Sequence, residues 1–322
     1  MIFNKRKFVL ISVVSLATLA SVTAIVPLQT DTGGRRSLFE ARTATQPVPV
    51  SLPSSNANKS PLTSATETNV ETASAPALAA PAAEQNRVLR DGLRWTFGGK
   101  TQRGWAIYVP LIQRLIGTDE EAASEGFAES LARWQKREGL AASGVLNEAT
   151  LMRMISTWQG RRRRNSTYPQ PDQLLTAPAA EFWDSARAED LRKVERQTYA
   201  AYKRMLAAAA ADPYVQLASQ GGELAASEKY LKIISAFRSR EYQDRLRKLE
   251  PGAGRAALAV NSPHFTGRAL DLYVGGEPTI TKDSNRALQT QTRAYRWLVR
   301  NAERFGFCPY FYEPWHWEFC AQ

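Results

Sequence analysis

The chain has 322 residues, with 42 Lys and Arg against 31 Asp and Glu and a formal net charge of +11. Apolar residues at 43% and charged residues at 23% are globular values, which excludes a wholly disordered or collagen-like chain. Two cysteines exclude a zinc-finger array and a disulfide-dense scaffold, and the positive charge favours polyanionic surroundings such as nucleic acid, anionic lipid or an acidic wall polymer.

Lys5, Arg6 and Lys7 precede an apolar run from Phe8 to Val26. This is the layout of an export signal, and Val22-Thr23-Ala24 offers a small-residue cleavage site. An uncleaved anchor helix is the alternative, because the run approaches the ~20 residues that span a bilayer. Residues 1–26 are therefore read as signal peptide or membrane anchor, and the rest of the chain as exported to the periplasm or cell envelope. An attachment to the inner membrane is the second form of that reading. Residues 27–90 turn to Ala, Thr, Ser and Pro, too poor in large apolar groups to offset chain entropy, and read as a disordered linker.

From Trp95 the chain becomes aromatic and periodic. Val109, Leu111, Ile112, Leu115 and Ile116 predict a short helix closed by Gly117; Ser124 caps a second, running to Gly139, with Phe127, Leu131 and Trp134 inward; Asn147 caps a third, with Leu151, Met154 and Ile155 inward. Residues 91–160 thus form a small three-helix domain. Within it, Trp134-Gln135, Gly139-Leu140, Ser143-Gly144-Val145-Leu146-Asn147 and Thr150-Leu151 resemble the peptidoglycan-binding domain of cell-wall hydrolases. That resemblance implies peptidoglycan as a partner, although most matched positions serve packing and capping, and a helical spacer would show the same pattern. Arg161–Arg164 opens a basic linker over 161–185, read as a solvated like-charge run. No aromatics interleave with these basic residues, so nucleic acid is set aside as a partner.

Residues 186–322 alternate helix and strand irregularly, which predicts an α+β domain with a small antiparallel sheet and flanking helices. Asp190–Ala211 reads as helix, Tyr230–Phe237 as strand, Glu241–Leu249 as helix and Arg268–Val274 as strand. Ser284–Phe305 reads as one long helix with Leu288, Tyr295, Leu298 and Ala302 among its apolar positions, followed by an aromatic β-type run from Phe307 to Phe319.

The only two histidines of the chain are His264 and His316. His264 precedes Asp271 across a bend permitted by Gly267, and His316 follows Glu313. Two neutral imidazoles and one carboxylate suit Zn²⁺ with its fourth position open to water. A buried strand face does not accept Asp271 without a partner, which an ion supplies. Two buried structural histidines are the competing reading, and the pairing of each with an acid argues against it.

Ser262-x-His264-x-x-Gly267-x-Ala269-x-Asp271, then Glu313-x-x-His316, with Phe237-Arg238-Ser239-x-x-x-Gln243 upstream, resemble the zinc D-alanyl-D-alanine carboxypeptidases and dipeptidases of the VanY/VanX type. The resemblance spans about residues 190–320. It implies His264, Asp271 and His316 as metal ligands, Glu313 as catalytic base and Arg238 as the cation that steadies the scissile carbonyl, and Ser262 and Gln243 are carried as substrate contacts. The implied reaction is release of terminal D-Ala from peptidoglycan stem peptides. An endopeptidase cutting cross-links or the L-Ala–D-Glu bond, and a non-catalytic wall-binding protein that keeps the fold, are the alternatives. The proton acceptor must reach water without taking a ligand site. Glu313, held by an extended Pro314, fits better than Glu318, which shares a strand face with His316 and is read as supporting it. Cys308 and Cys320 bracket this segment. In an exported protein they favour a disulfide over reduced thiols or a metal ligand.

Overall fold

The computed structural model describes residues 79–162, 167–220, 223–249 and 262–321. The apolar N-terminal run, most of the linker, and Arg163 and Arg164 lie outside the described residues. Among the described residues no helix is long and apolar enough to cross a membrane.

The helical part begins earlier than expected. Helix α1 (Ala79–Gly92) occupies the end of what the composition marks as linker. Its Ala79, Ala82, Ala83 and Asn86 are buried at the i, i+3, i+4, i+7 spacing of a helix face. Asn86 anchors it, donating to the Gly144 carbonyl and accepting from the Leu146 amide, both at 2.8 Å. A hairpin follows, β1 (Arg94–Phe97) and β2 (Lys100–Arg103). Then come α2 (Val109–Ile116), α3 (Glu125–Arg137) and α4 (Glu148–Arg161), the three helices expected. Gly117 closes α2 at φ 74°, and the Ser124 and Asn147 side chains accept from the Phe127 and Thr150 amides. Gln135 is 1% exposed; it accepts from the Gly144 amide and donates to the Val145 carbonyl and Thr150 hydroxyl. The residues carrying the likeness to wall-binding domains are therefore bonded to one another inside the module.

The segment read as a basic linker belongs in large part to the second half. Strand β3 (Leu174–Thr176) pairs antiparallel with β4 (Lys193–Glu195), and Phe182 bridges Ile233. Helix α5 (Arg196–Ala210) starts after β4, capped by the Glu195 carboxylate. The short strands β5 (Ser219–Gln220) and β6 (Glu223–Leu224) lead to β7 (Ile233–Ser235) and α6 (Arg240–Leu249). Then come β8 (Ala269–Leu272), α7 (Asp283–Gln291), α8 (Arg293–Asn301), β9 (Phe307–Pro309) and β10 (His316–Phe319). The long helix expected over 284–305 is thus broken: Thr292 caps α8 by accepting from the Tyr295 amide, while its hydroxyl donates to the Val274 carbonyl. Leu288, one of the apolar positions of the expected helix, is 61% exposed.

The central sheet has the order β7-β8-β10-β9, antiparallel throughout. This is the mixed helix and small antiparallel sheet that the sequence predicts. All four residues of β8 and of β10 are buried, so both faces of these strands are covered. Leu270, Leu272, Tyr295, Leu298 and Trp317 belong to the core. The helical module packs directly on this half. Phe97 meets Phe311 edge-on at 4.8 Å and Tyr312 at 5.3 Å, and Trp158 stacks on Phe311 at 6.0 Å. Arg286, 1% exposed, donates to the Tyr108 hydroxyl of the module and to the Tyr312 carbonyl. The segment just before Glu313 is therefore walled by the module.

Candidate metal centre

Sheet register brings the ligand candidates together. His316 on β10 lies directly opposite Asp271 on β8, and Ser235 on β7 pairs with Asp271 from the other side, past a bulge. A cross-strand pair places Cβ atoms about 5 Å apart, so the pairing alone delivers an imidazole to the carboxylate. His264 arrives on the 3-10 turn Pro263–Thr266, which ends at Gly267 with φ 67°. A Cβ at Gly267 would sit 3.1 Å from the Glu195 backbone nitrogen, so both the dihedral and the space call for glycine there.

Among the described residues, His264, Asp271 and His316 form one buried group whose donor atoms lie within 4.8 Å of one another. His264 donates through Nδ1 to the Ala236 carbonyl at 2.6 Å, which leaves Nε2 facing Asp271 Oδ2 at 3.3 Å. His316 presents Nδ1 to Asp271 Oδ1 at 2.9 Å and Nε2 to Glu318 Oε1 at 3.2 Å. Imidazoles oriented by a carbonyl or carboxylate on the far nitrogen are the usual support of a metal site. The donor set fits a divalent ion such as zinc: two imidazole nitrogens and a carboxylate, converging from three separate elements.

Charge distribution agrees with that fit. Burial and the Arg238 cation lower His264 to about 4, so it is neutral near pH 7. Burial opposes the charged form of His316, but hydrogen bonds and charges from Asp271 and Glu318 outweigh it and push it up to about 9. Asp271 is held well below the usual carboxylate range by both imidazoles and Arg238, against the effect of burial. A proton on His316 offsets part of the charge of the Asp271 and Glu318 carboxylates beside it.

Glu313 and His316 are the first and last residues of a β-turn, closed by the His316 amide donating to the Glu313 carbonyl at 2.9 Å. Pro314 therefore occupies the second position of a turn, where its fixed φ is favoured, and the extended backbone expected there is not found. The turn accounts for the spacing: it holds the acid beside the ligand and off the strand. Glu313 is 6% exposed, its Oε1 has no hydrogen-bond partner, and burial raises it to about 7. Glu318 is buried as well, and its Oε2 also lacks a partner, but its Oε1 is engaged. It accepts from Arg162 and bonds His316, and those interactions hold it at about 2 in spite of burial. The supporting role read for Glu318 is the one its contacts describe.

The remaining expected site residues divide. Arg238 lies at the centre, but its Nη2 is on Asp271 Oδ2 at 2.7 Å and its Nε on the Ser235 hydroxyl at 2.9 Å. Gln243 is buried and accepts from Arg238 Nη1 at 3.4 Å, so it steadies the guanidinium. Ser262 is buried and caps the His264 turn, its Oγ accepting from the His264 amide at 3.4 Å. Trp315 and Trp317 are core residues. The Cα atoms of Cys308 and Cys320 are 5.9 Å apart, within disulfide range. Sequence reasoning missed Ser235 and Ala236, whose contacts depend on the bulge, and Arg162, placed here by the packing of the module.

Residues 191–322 match the family model described as VanY, D-alanyl-D-alanine carboxypeptidase. This part of the chain is a VanY domain. No curated protein matches the chain. The VanY domain covers the sheet and the His264, Asp271 and His316 cluster, so peptidase activity of the D-Ala-D-Ala carboxypeptidase kind on peptidoglycan-derived substrates applies at the level of the family.

Proposed function

We propose that the chain is an exported zinc-dependent peptidase that trims peptidoglycan stem peptides by hydrolysing the bond to a terminal D-alanine. The observation that carries this reading is the buried Glu313 carboxyl, whose Oε1 has no hydrogen-bond partner, set one β-turn away from a two-imidazole, one-carboxylate cluster. A protein that only bound the wall would have no use for an isolated proton acceptor there. Export is supported by Lys5–Lys7 and the apolar run behind them.

His264, Asp271 and His316 would hold the ion. A bound Zn²⁺ lowers the pKa of water from 15.7 toward ~7 and polarises a carbonyl. Glu313 would accept the proton of the attacking water and return it to the leaving amine. Arg238 holds Asp271 in place, and its cation would steady the charge that develops on the scissile carbonyl oxygen. The buried network inside the helical module supports a scaffolding role for it, with wall binding as an additional role that its exposed faces would have to carry.

The test is mass spectrometry of muropeptides digested with the purified protein, with and without a chelator. Loss of one terminal D-Ala per stem, abolished by chelation and restored by zinc, supports the reading. Cleavage within cross-links would make the protein an endopeptidase, and no cleavage would leave a wall-binding protein.

A further inference from the structure

The basic run after α4 does not stay in solvent at its second residue. Arg162, the cap residue of α4, has a side chain only 21% exposed. Its Nε and Nη2 both reach Glu318 Oε1, at 2.9 and 2.5 Å, and its Nη1 donates to Gln159 Oε1 at 3.0 Å. The guanidinium also lies 4.1 Å over the Tyr310 ring. Glu318 Oε1, thus held, is the atom that bonds His316 Nε2.

We propose that Arg162 is a positioning residue of the metal centre, supplied by the helical module: it fixes Glu318, and Glu318 fixes the ring of His316 so that Nδ1 faces the ion. The inference rests on the metal reading above. The rigid fork and the aromatic stack restrict the guanidinium in two directions, so the docking of α4 determines the direction of a ligand 154 residues further along the chain. Arg161, just before it in the sequence, is half exposed, and its guanidinium reaches Glu303 at 3.9 Å, a carboxylate outside the metal centre. The module is then part of the peptidase centre, not merely an address label joined to it.

The test uses the full chain. Arg162→Ala and Arg162→Met, the second keeping an apolar stem over Tyr310, are compared with Arg161→Ala and the parent. Competition between each protein and a chromogenic chelator for zinc gives the affinity, and the visible spectrum of the cobalt-substituted protein reports ligand geometry. Both Arg162 variants should bind zinc about 10–100-fold more weakly with an altered cobalt spectrum, while Arg161→Ala matches the parent. A cycle with Glu318→Gln should show the two losses to be non-additive, because they share one path. Parent-like affinity and spectrum in Arg162→Met, or additive losses in the cycle, overturn the proposal. A parent that binds no zinc overturns the metal reading together with it.

Discussion

Replacing Glu313 by Gln separates what the acid does for chemistry from what it costs the fold. The substitution keeps shape and removes the ability to take a proton. Loss of a general base costs about 10²–10⁴ in rate, so D-Ala release from a D-Ala-D-Ala-terminated peptide, followed by chromatography, should fall by that factor while zinc content stays at one per chain. The same variant should be more stable than the parent once metal is removed. Burial raises the carboxyl from an ordinary 4.5 to about 7, a displacement equivalent to about 3 kcal/mol. Below pH 4.5 the acid is protonated in folded and unfolded chains alike, and the two proteins should unfold together. As pH rises from 4.5 towards 7 the unfolded parent gives up a proton that the folded parent retains, so the parent loses stability that the amide keeps, and the gap levels off above 7 where both states are ionised. By pH 8 the metal-free variant should lead by up to ~3 kcal/mol in urea unfolding. Full turnover in the variant would move the base elsewhere. An equal or lower stability at pH 8 would refute the claim that Glu313 is a strained, solvent-deprived acid.

Two further outcomes are expected. Because His316 carries a proton up to about pH 9 in the metal-free protein, zinc uptake near pH 7 should release about one proton, and affinity should rise roughly tenfold per pH unit before levelling near 9; calorimetry in buffers of different ionisation enthalpy measures both, and pH-independent affinity would contradict them. Cys308 and Cys320 are expected to be bridged, so the unfolded, unreduced protein should titrate no thiol, and serine at both positions should cost ~3 kcal/mol of stability; two thiols in that titration would remove the bond.

The centre was legible in the sequence because its signals are local or chemically scarce. Only two histidines exist, each has an acid nearby, and Ser124, Asn147 and Gly117 mark helix ends as their residue types predict. What escaped depends on partners far along the chain. Helix α1 is visible in the spacing of Ala79, Ala82, Ala83 and Asn86, but alanine and proline composition hides it, and its stability comes from Asn86 reaching Gly144 and Leu146. The break at Thr292 follows from a hydroxyl bonded to Val274, a contact that helical periodicity does not contain. Arg162 looked like one of four equivalent arginines until Glu318 and Tyr310 were seen beside it. Pro314 was read by its fixed φ alone; extended chain and a β-turn both accept that angle, and the Glu313–His316 hydrogen bond decides for the turn.

The central claim is that one divalent ion binds between His264, Asp271 and His316. X-ray diffraction from zinc-loaded crystals, recorded on both sides of the zinc absorption edge, tests it most directly. The account predicts a single strong anomalous peak about 2.0–2.2 Å from His264 Nε2, an Asp271 oxygen and His316 Nδ1, with Glu313 beside it and uncoordinated. Zinc bound at other side chains, or an empty cluster in active crystals, would contradict it.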